Sequence, residues 1–145
     1  MKVYKTTSTG RNIAVESEGL SIVQELITDD KTLLVSDSGK TFNIATDAKV
    51  FTLPLIDAGM LGACYRFRNT GADGAIALTI APASADGING TVANAAADSV
   101  ASGALDKDYV LTKATINKGD WVELEAVALT EWYITGGVGI GASEA

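Results

Sequence analysis

The stretch DSGKTFNIATDAKVFTLP, residues 37–54, holds the reading on which the fold turns. Its Ser38-Gly39-Lys40-Thr41 matches the last four residues of a phosphate-binding P-loop. Such a loop needs a first glycine five positions before the Gly of Gly-Lys-Ser/Thr, so that consecutive backbone N–H groups wrap the phosphates. Leu34 stands at that position, a bulky side chain where the loop needs none. A P-loop also leaves a strand and enters a helix. Here Phe42, Ile44, Val50, Phe51 and Leu53 follow, a set rich in β-formers and closed by Pro54. Ser38-Gly39 therefore reads as the turn of a hairpin between two strands, with Lys40 solvated beside it.

The same two-residue alternation runs outward in both directions. Thr32 to Val35 reads as the preceding strand, and Lys49 to Pro54 sets Phe51 and Leu53 against Val50 and Thr52. Cys64 to Asn69 places Tyr65 and Phe67 on one face and Arg66 and Arg68 on the other; Ile76, Leu78 and Ile80 alternate up to Pro82. Tyr109 to Ile116, Trp121 to Val127 and Glu131 to Thr135 complete the strands, with Val122, Leu124 and Ala126 opposite Trp121, Glu123 and Glu125. Residues 83–104, dominated by Ala, Ser, Gly, Asp and Asn, read as a long surface excursion with a short strand around Ile88. The run Leu20 to Ile27 fits one helical turn or a strand equally. Short strands about ten residues apart with Gly/Asp turns predict an all-β fold, a single antiparallel β-sandwich or β-barrel-like domain. Its expected limits are an extended N-terminal arm over residues 1–26, a β-domain over 27–137 and a flexible C-terminal tail over 138–145.

Composition excludes several classes of chemistry. The chain of 145 residues is long enough for one domain with its own core. It contains no histidine, which removes the common catalytic triads, His-bound zinc and imidazole acid–base chemistry. The single Cys64 permits no disulfide within the chain and reads as a small packing residue. The N-terminus lacks the apolar core of a signal peptide, and no run of about 18 apolar residues predicts a membrane span. A net charge of −7 argues against nucleic acid as the main partner. That charge is unevenly spread. Residues 1–15 carry Lys2, Lys5 and Arg11 and no acid, so all 18 acidic residues begin at Glu16. A basic arm on an acidic body fits a tail that docks on an acidic surface, and it fits a solvated, frayed terminus as well.

No constellation builds a catalytic site, and no enzyme, metal or cofactor is expected. Glu123 and Glu125 lie about 7 Å apart on one strand face, but they alternate with core residues as a solvated face does. Asp86-Gly87-Ile88-Asn89-Gly90 lacks the ligand spacing of a calcium loop and reads as a turn. Arg66 and Arg68 read as the polar side of a half-buried strand or as partners for neighbouring acids. Of Trp132-Tyr133, alternation sends one ring to the core. Trp121, apparently outward, is a candidate interface anchor.

The order of four segments carries a resemblance. ITDDKTLLVSDSGKTFNI (27–44), FTLP (51–54), GACYRFRNTGADGAIALTIAP (62–82) and GDWVELEAVALTEWYITGG (119–137) together resemble the head decoration, or capsid cement, proteins of tailed bacteriophages. Similar β-domains occur in phage head and tail fibres. The shared features mark turns and core aromatics, cover residues 27–137 and carry over no functional residue. The resemblance implies a structural virion protein, made in the host cytoplasm, that binds the major capsid protein on the outer capsid surface, often as a homotrimer. It implies no role for nucleic acid, membrane or cofactor. The expected contacts to the capsid are Lys2, Tyr4, Lys5 and Arg11 of the arm, together with Trp121. The alternatives are a fibre or spike module that binds a receptor, and a carbohydrate-binding module that uses Trp121 or Trp132-Tyr133.

Overall fold

Buried side chains alternate with less buried ones along the central strands in the computed structural model of the chain, which describes residues 2–6, 12–16, 23–94 and 98–144. The strands are β1 (Lys2–Thr6), β2 (Asn12–Glu16), β3 (Gln24–Ile27), β4 (Lys31–Thr32), β5 (Thr41–Ile44), β6 (Lys49–Thr52) and β7 (Cys64–Asn69). They continue as β8 (Leu78–Ala81), β9 (Gly87–Val92), β10 (Ser99–Leu105), β11 (Tyr109–Leu111), β12 (Trp121–Ala128), β13 (Glu131–Val138) and β14 (Gly141–Ser143). A seven-stranded sheet in the order β10-β9-β13-β12-β7-β5-β3 packs on a five-stranded sheet in the order β14-β11-β8-β6-β4, and β1 and β2 form a sheet of their own. The fold is all-β and sandwich-like.

The inward faces are those the alternation marked. Phe51, Leu53, Tyr65, Phe67, Ile76, Leu78, Ile80, Val122, Leu124, Ala126 and Trp132 are all buried. Phe51 reaches across from the five-stranded sheet, with its ring centroid 4.9 Å from Phe67 and 5.7 Å from Phe42. Tyr65 continues the cluster to Trp132 at 5.6 Å. Such aromatic pairs add about 0.5–1.5 kcal/mol each beyond the area they bury.

The sheets are mixed, which corrects the expected antiparallel arrangement. β3/β5, β5/β7, β4/β6, β6/β8 and β9/β13 are parallel pairs. From β3 to β8 each successive strand joins the other sheet. A chain that crosses the core twice before returning to a sheet has reversed twice, so it comes back parallel to the strand it left.

The hairpin expected at Ser38-Gly39 is therefore an arch between sheets. Residues 35–37 form a 3-10 turn in which Asp37 Oδ2 accepts the Leu34 N–H at 3.1 Å and Lys40 Nζ reaches Asp37 Oδ1 at 2.6 Å. Gly39, at φ +87°, donates its N–H to Cys64 O, while Ser38 Oγ accepts the Cys64 N–H. Every residue of the P-loop-like tetrapeptide thus serves the arch or the strand that follows. Lys40 is not simply solvated, since it also lies 3.5 Å from Glu25.

Three further expectations change. Residues 83–104 are no surface excursion: β9 and β10 pair as an antiparallel hairpin that continues the seven-stranded sheet, with Ile88 and Val92 buried. The small residues there permit close backbone approach, for a Cβ on Gly87 would sit 2.5 Å from Gly103 O. The strand expected over Tyr109–Ile116 ends at Leu111, where Thr112 O accepts from Thr115 and Ile116 N–H. The C-terminal tail holds β14, whose Gly141–Ser143 pair with β11. At the other terminus the expected extended arm contains an antiparallel hairpin, Lys2 opposite Glu16 through Thr6 opposite Asn12. In the ambiguous run Leu20–Ile27, residues 24–27 form strand β3, and residues 20–22 lie outside the described set.

Candidate interaction surface

Strand directions sort every connection to one of two ends of the sandwich. The starts of β3, β5, β7, β9 and β13 lie at one end with the finishes of β4, β6, β8, β10, β12 and β14. At that end the connections and the strand ends beside them carry Leu34, Val35, Leu55, Leu61, Leu105, Val127 and Leu129, each between 49% and 60% exposed. Loops are ordinarily polar because their backbones and side chains face water. Seven large aliphatic residues in the turns and adjoining strand ends of one end form a rim that water alone does not explain.

A ladder of hydrogen bonds holds that rim in place. Tyr65 Oη donates to Leu34 O at 2.9 Å, and Gly62 N–H donates to Ala126 O at 2.8 Å. Gly87 N–H donates to Thr130 O at 2.8 Å. Asp86, fully buried, ties three loops: its Oδ2 accepts the Ile56 N–H at 3.0 Å, its carbonyl accepts the Asp106 N–H and its own N–H donates to Ala83 O. Asp86 Oδ1 is buried with no hydrogen-bond partner among the described residues. The segment read from sequence as a turn thus holds the pin that ties the loop carrying Leu55 to the turn that follows Leu105. Nearby, burial first, then the charges of Glu144 and Asp106, push the Asp108 carboxyl above its ordinary range.

The opposite end is built from acids that hold turns. Asp120 Oδ2 accepts the Asn117 N–H, Asp73 Oδ1 the Lys118 N–H, Asp47 Oδ1 the Ala77 N–H and Asp30 Oδ1 the Val50 N–H. Buried Asn69 donates to Asn117 O and accepts from Gly71 N–H. These carboxylates are occupied by backbone donors, as turn-forming Asp side chains are.

The expected site residues do not converge. Lys2, Tyr4 and Lys5 lie on β1, whose side chains are outside the described set, as is the whole of Arg11. The segment that carries them enters the body at β3 from the apolar end. Trp121 opens β12 at the polar end, on the outward face of the seven-stranded sheet. Its ring lies across Gly136 of the neighbouring strand, where a Cβ would come within 2.9 Å. The Arg66 guanidinium stands 4.7 Å over the ring and meets Glu123 at 2.8 Å. An aromatic ring laid over a strand glycine shields the backbone that glycine leaves bare. Trp121 is therefore embedded in its own sheet face as well as turned outward. Tyr133, opposite Glu125, is partly exposed and donates to Glu131, while Trp132 fills the core.

The apolar rim was missed because each member, taken singly, is an unremarkable exposed aliphatic residue. The available signal was its place at strand ends and in the connections beside them, at Leu34-Val35, Leu55 and Val127-Ala128-Leu129. No protein-family model matches the chain, and no curated protein matches it.

Proposed function

We propose that the protein is a structural virion protein that seats on the outer surface of a phage capsid and reinforces it, as the resemblance of residues 27–137 to decoration proteins implies. The observation that carries this reading is the asymmetry of the ends: a rim of exposed aliphatic residues stands at the end from which the basic N-terminal segment departs. A rim of that kind loses its contact with water when it meets a lattice of subunits. The stabilisation scales with apolar area removed, about 25 cal/mol per Å² before the costs of association. A ligand that binds only the assembled shell stabilises it by mass action, and repetition over the lattice multiplies the effect. In this reading the partner is the major capsid protein and the unit on the shell is a homotrimer. The arm residues Lys2, Tyr4, Lys5 and Arg11 add electrostatic attraction to an acidic shell surface, and no catalysis, nucleic acid or membrane is involved.

The test is to mix the protein with expanded, undecorated capsids of its own phage, pellet them and image them by electron microscopy. Regular added density and capsids that survive higher temperature are the expected result. Leu55→Lys with Leu129→Lys should abolish pelleting while the free protein melts unchanged. Absence of density with the unaltered protein would reject the decoration reading and favour a fibre module that binds a receptor or glycan.

A further inference from the structure

Among the described residues, the hairpin β1–β2 and the edge strand β3 are each incomplete. Two strands alone are at best marginally stable in water, because one hairpin buries too little apolar surface to offset its chain entropy. β1–β2 is such a two-stranded sheet. β3, among the described residues, pairs on one side only, with β5. Thr41 N–H donates to Val23 O, and this phase leaves the N–H and C=O groups of Gln24 and Leu26 pointing away from β5. The Leu26 residue is 67% exposed. An open edge with a large apolar residue and no proline or bulge is a template for another strand.

The other margins of the sandwich are not like this. Across the β10/β14 margin, Ser102 N–H donates to Ser143 Oγ and Gly141 N–H to Ser99 Oγ, so serine side chains stitch the two sheets together. β4 is two residues long, too short to template a strand. Charge singles out the occupant of the open edge. The hairpin segment, residues 2–16, carries three cationic side chains against Glu16, whereas residues 24–31 carry Glu25, Asp29 and Asp30 against Lys31, with Lys40 also 3.5 Å from Glu25.

We propose that the β1–β2 hairpin of one copy adds to the free edge of β3 in a second copy, extending its seven-stranded sheet across the junction. Each copy then donates one hairpin and offers one edge, so the contact either closes reciprocally as a dimer or runs head to tail until a ring closes. Main-chain hydrogen bonds at Gln24 and Leu26 supply affinity, and the charge contrast sets the pairing against unrelated edges. The inference stands apart from the capsid reading, because it is tested on the pure protein with no capsid present.

The experiment is sedimentation equilibrium of the full chain from low micromolar to near-millimolar concentration, paired with amide hydrogen exchange. Self-association is expected, with Gln24 and Leu26 amides protected only as oligomer forms, together with amides of β1 or β2. Leu26→Pro deletes an outward N–H and leaves the β5 ladder its donors. That variant, and separately the charge reversal Lys2→Glu/Lys5→Glu/Arg11→Glu, should each weaken association about tenfold or more. A monomer at every concentration would overturn the proposal, and so would association that neither variant changes. A monomer in which both segments are protected would place the hairpin on its own chain's edge and equally overturn a second copy. Should Leu26→Pro not fold, exchange on the unaltered protein decides alone.

Discussion

The two ends of this sandwich meet the same need and present different surfaces. Both must reverse the chain several times and satisfy the backbone groups that reversals expose. The polar end does it with Asp and Asn side chains that accept turn N–H groups at Asn117, Lys118, Ala77 and Val50, and its surface is that of an ordinary solvated set of loops. The apolar end also uses side-chain acceptors, Asp37 for the Leu34 N–H, Asp57 for the Gly59 N–H and buried Asp86 for the Ile56 N–H, alongside backbone-to-backbone bonds. What sets it apart is its surface, where Leu34, Leu55, Leu61 and Leu129 stand exposed in the connections.

The sharpest way to break this comparison is to remove the pin from each end. Asp86→Ala strips the acceptor from the buried Ile56 N–H while the backbone bonds to Asp106 and Ala83 remain; a charge-assisted bond of this kind is worth about 1.5–3 kcal/mol. Asp120→Ala, at the polar end, removes one acceptor from a turn that keeps its Asn69 bonds, and about 1 kcal/mol is expected. Urea unfolding should rank Asp86→Ala as the costlier by a clear margin. Equal costs would mean that Asp86 is one turn carboxylate among others.

Acid titration sharpens the contrast at lower energy. At Asp37 burial opposes the charge, but the Lys40 ammonium and the Leu34 N–H outweigh it and hold the carboxyl below its ordinary value of 3.8. A depressed folded-state pKa contributes stability that is present above the unfolded value and is lost as pH falls through the folded one. Asp37→Asn should therefore cost stability at neutral pH, under about 1 kcal/mol for a pair with an exposed lysine, and nothing once the medium is strongly acidic. Asp108 has the opposite sign. Its raised pKa makes the ionised form unfavourable in the fold, so Asp108→Asn should slightly raise the melting temperature at neutral pH. That gain should vanish as pH falls below the unfolded value. Thermal melts across pH for both variants check the pair of signs.

The smallest stability effect belongs to the rim itself. Leu55→Ser and Leu129→Ser should each change unfolding free energy by no more than about 0.5 kcal/mol, because these side chains are already largely in water. A loss of several times that would show that the rim supports the fold instead of standing ready for a partner.

Much of the burial pattern was legible in the residues, and little of the connectivity. Phe51 and Leu53, Tyr65 and Phe67, and Val122, Leu124 and Ala126 point inward as a period of two requires, since successive side chains of any strand leave on opposite faces. Trp132 and Tyr133 divide between core and surface for the same reason. Ser38-Gly39-Lys40-Thr41 was excluded as a phosphate loop by the side chain at Leu34. The strands of 83–104 and 141–143 were obscured because glycine, alanine and serine write turns and close-packed strands in one alphabet.

By itself, then, the sequence determined an all-β chain, the inward face of most of its strands and the concentration of positive charge before Glu16. Only the tertiary structure decided which sheet each strand joins. Alternation is identical whether a turn closes a hairpin or arches over the core, so Gly39 could not declare that β4 and β5 part company. The tertiary structure also gathered Leu34, Leu55, Leu61, Leu105 and Leu129 at one end, although as many as 95 positions separate the first from the last. No local pattern carries that information, because the residues are neighbours only through strands that each cross the molecule once.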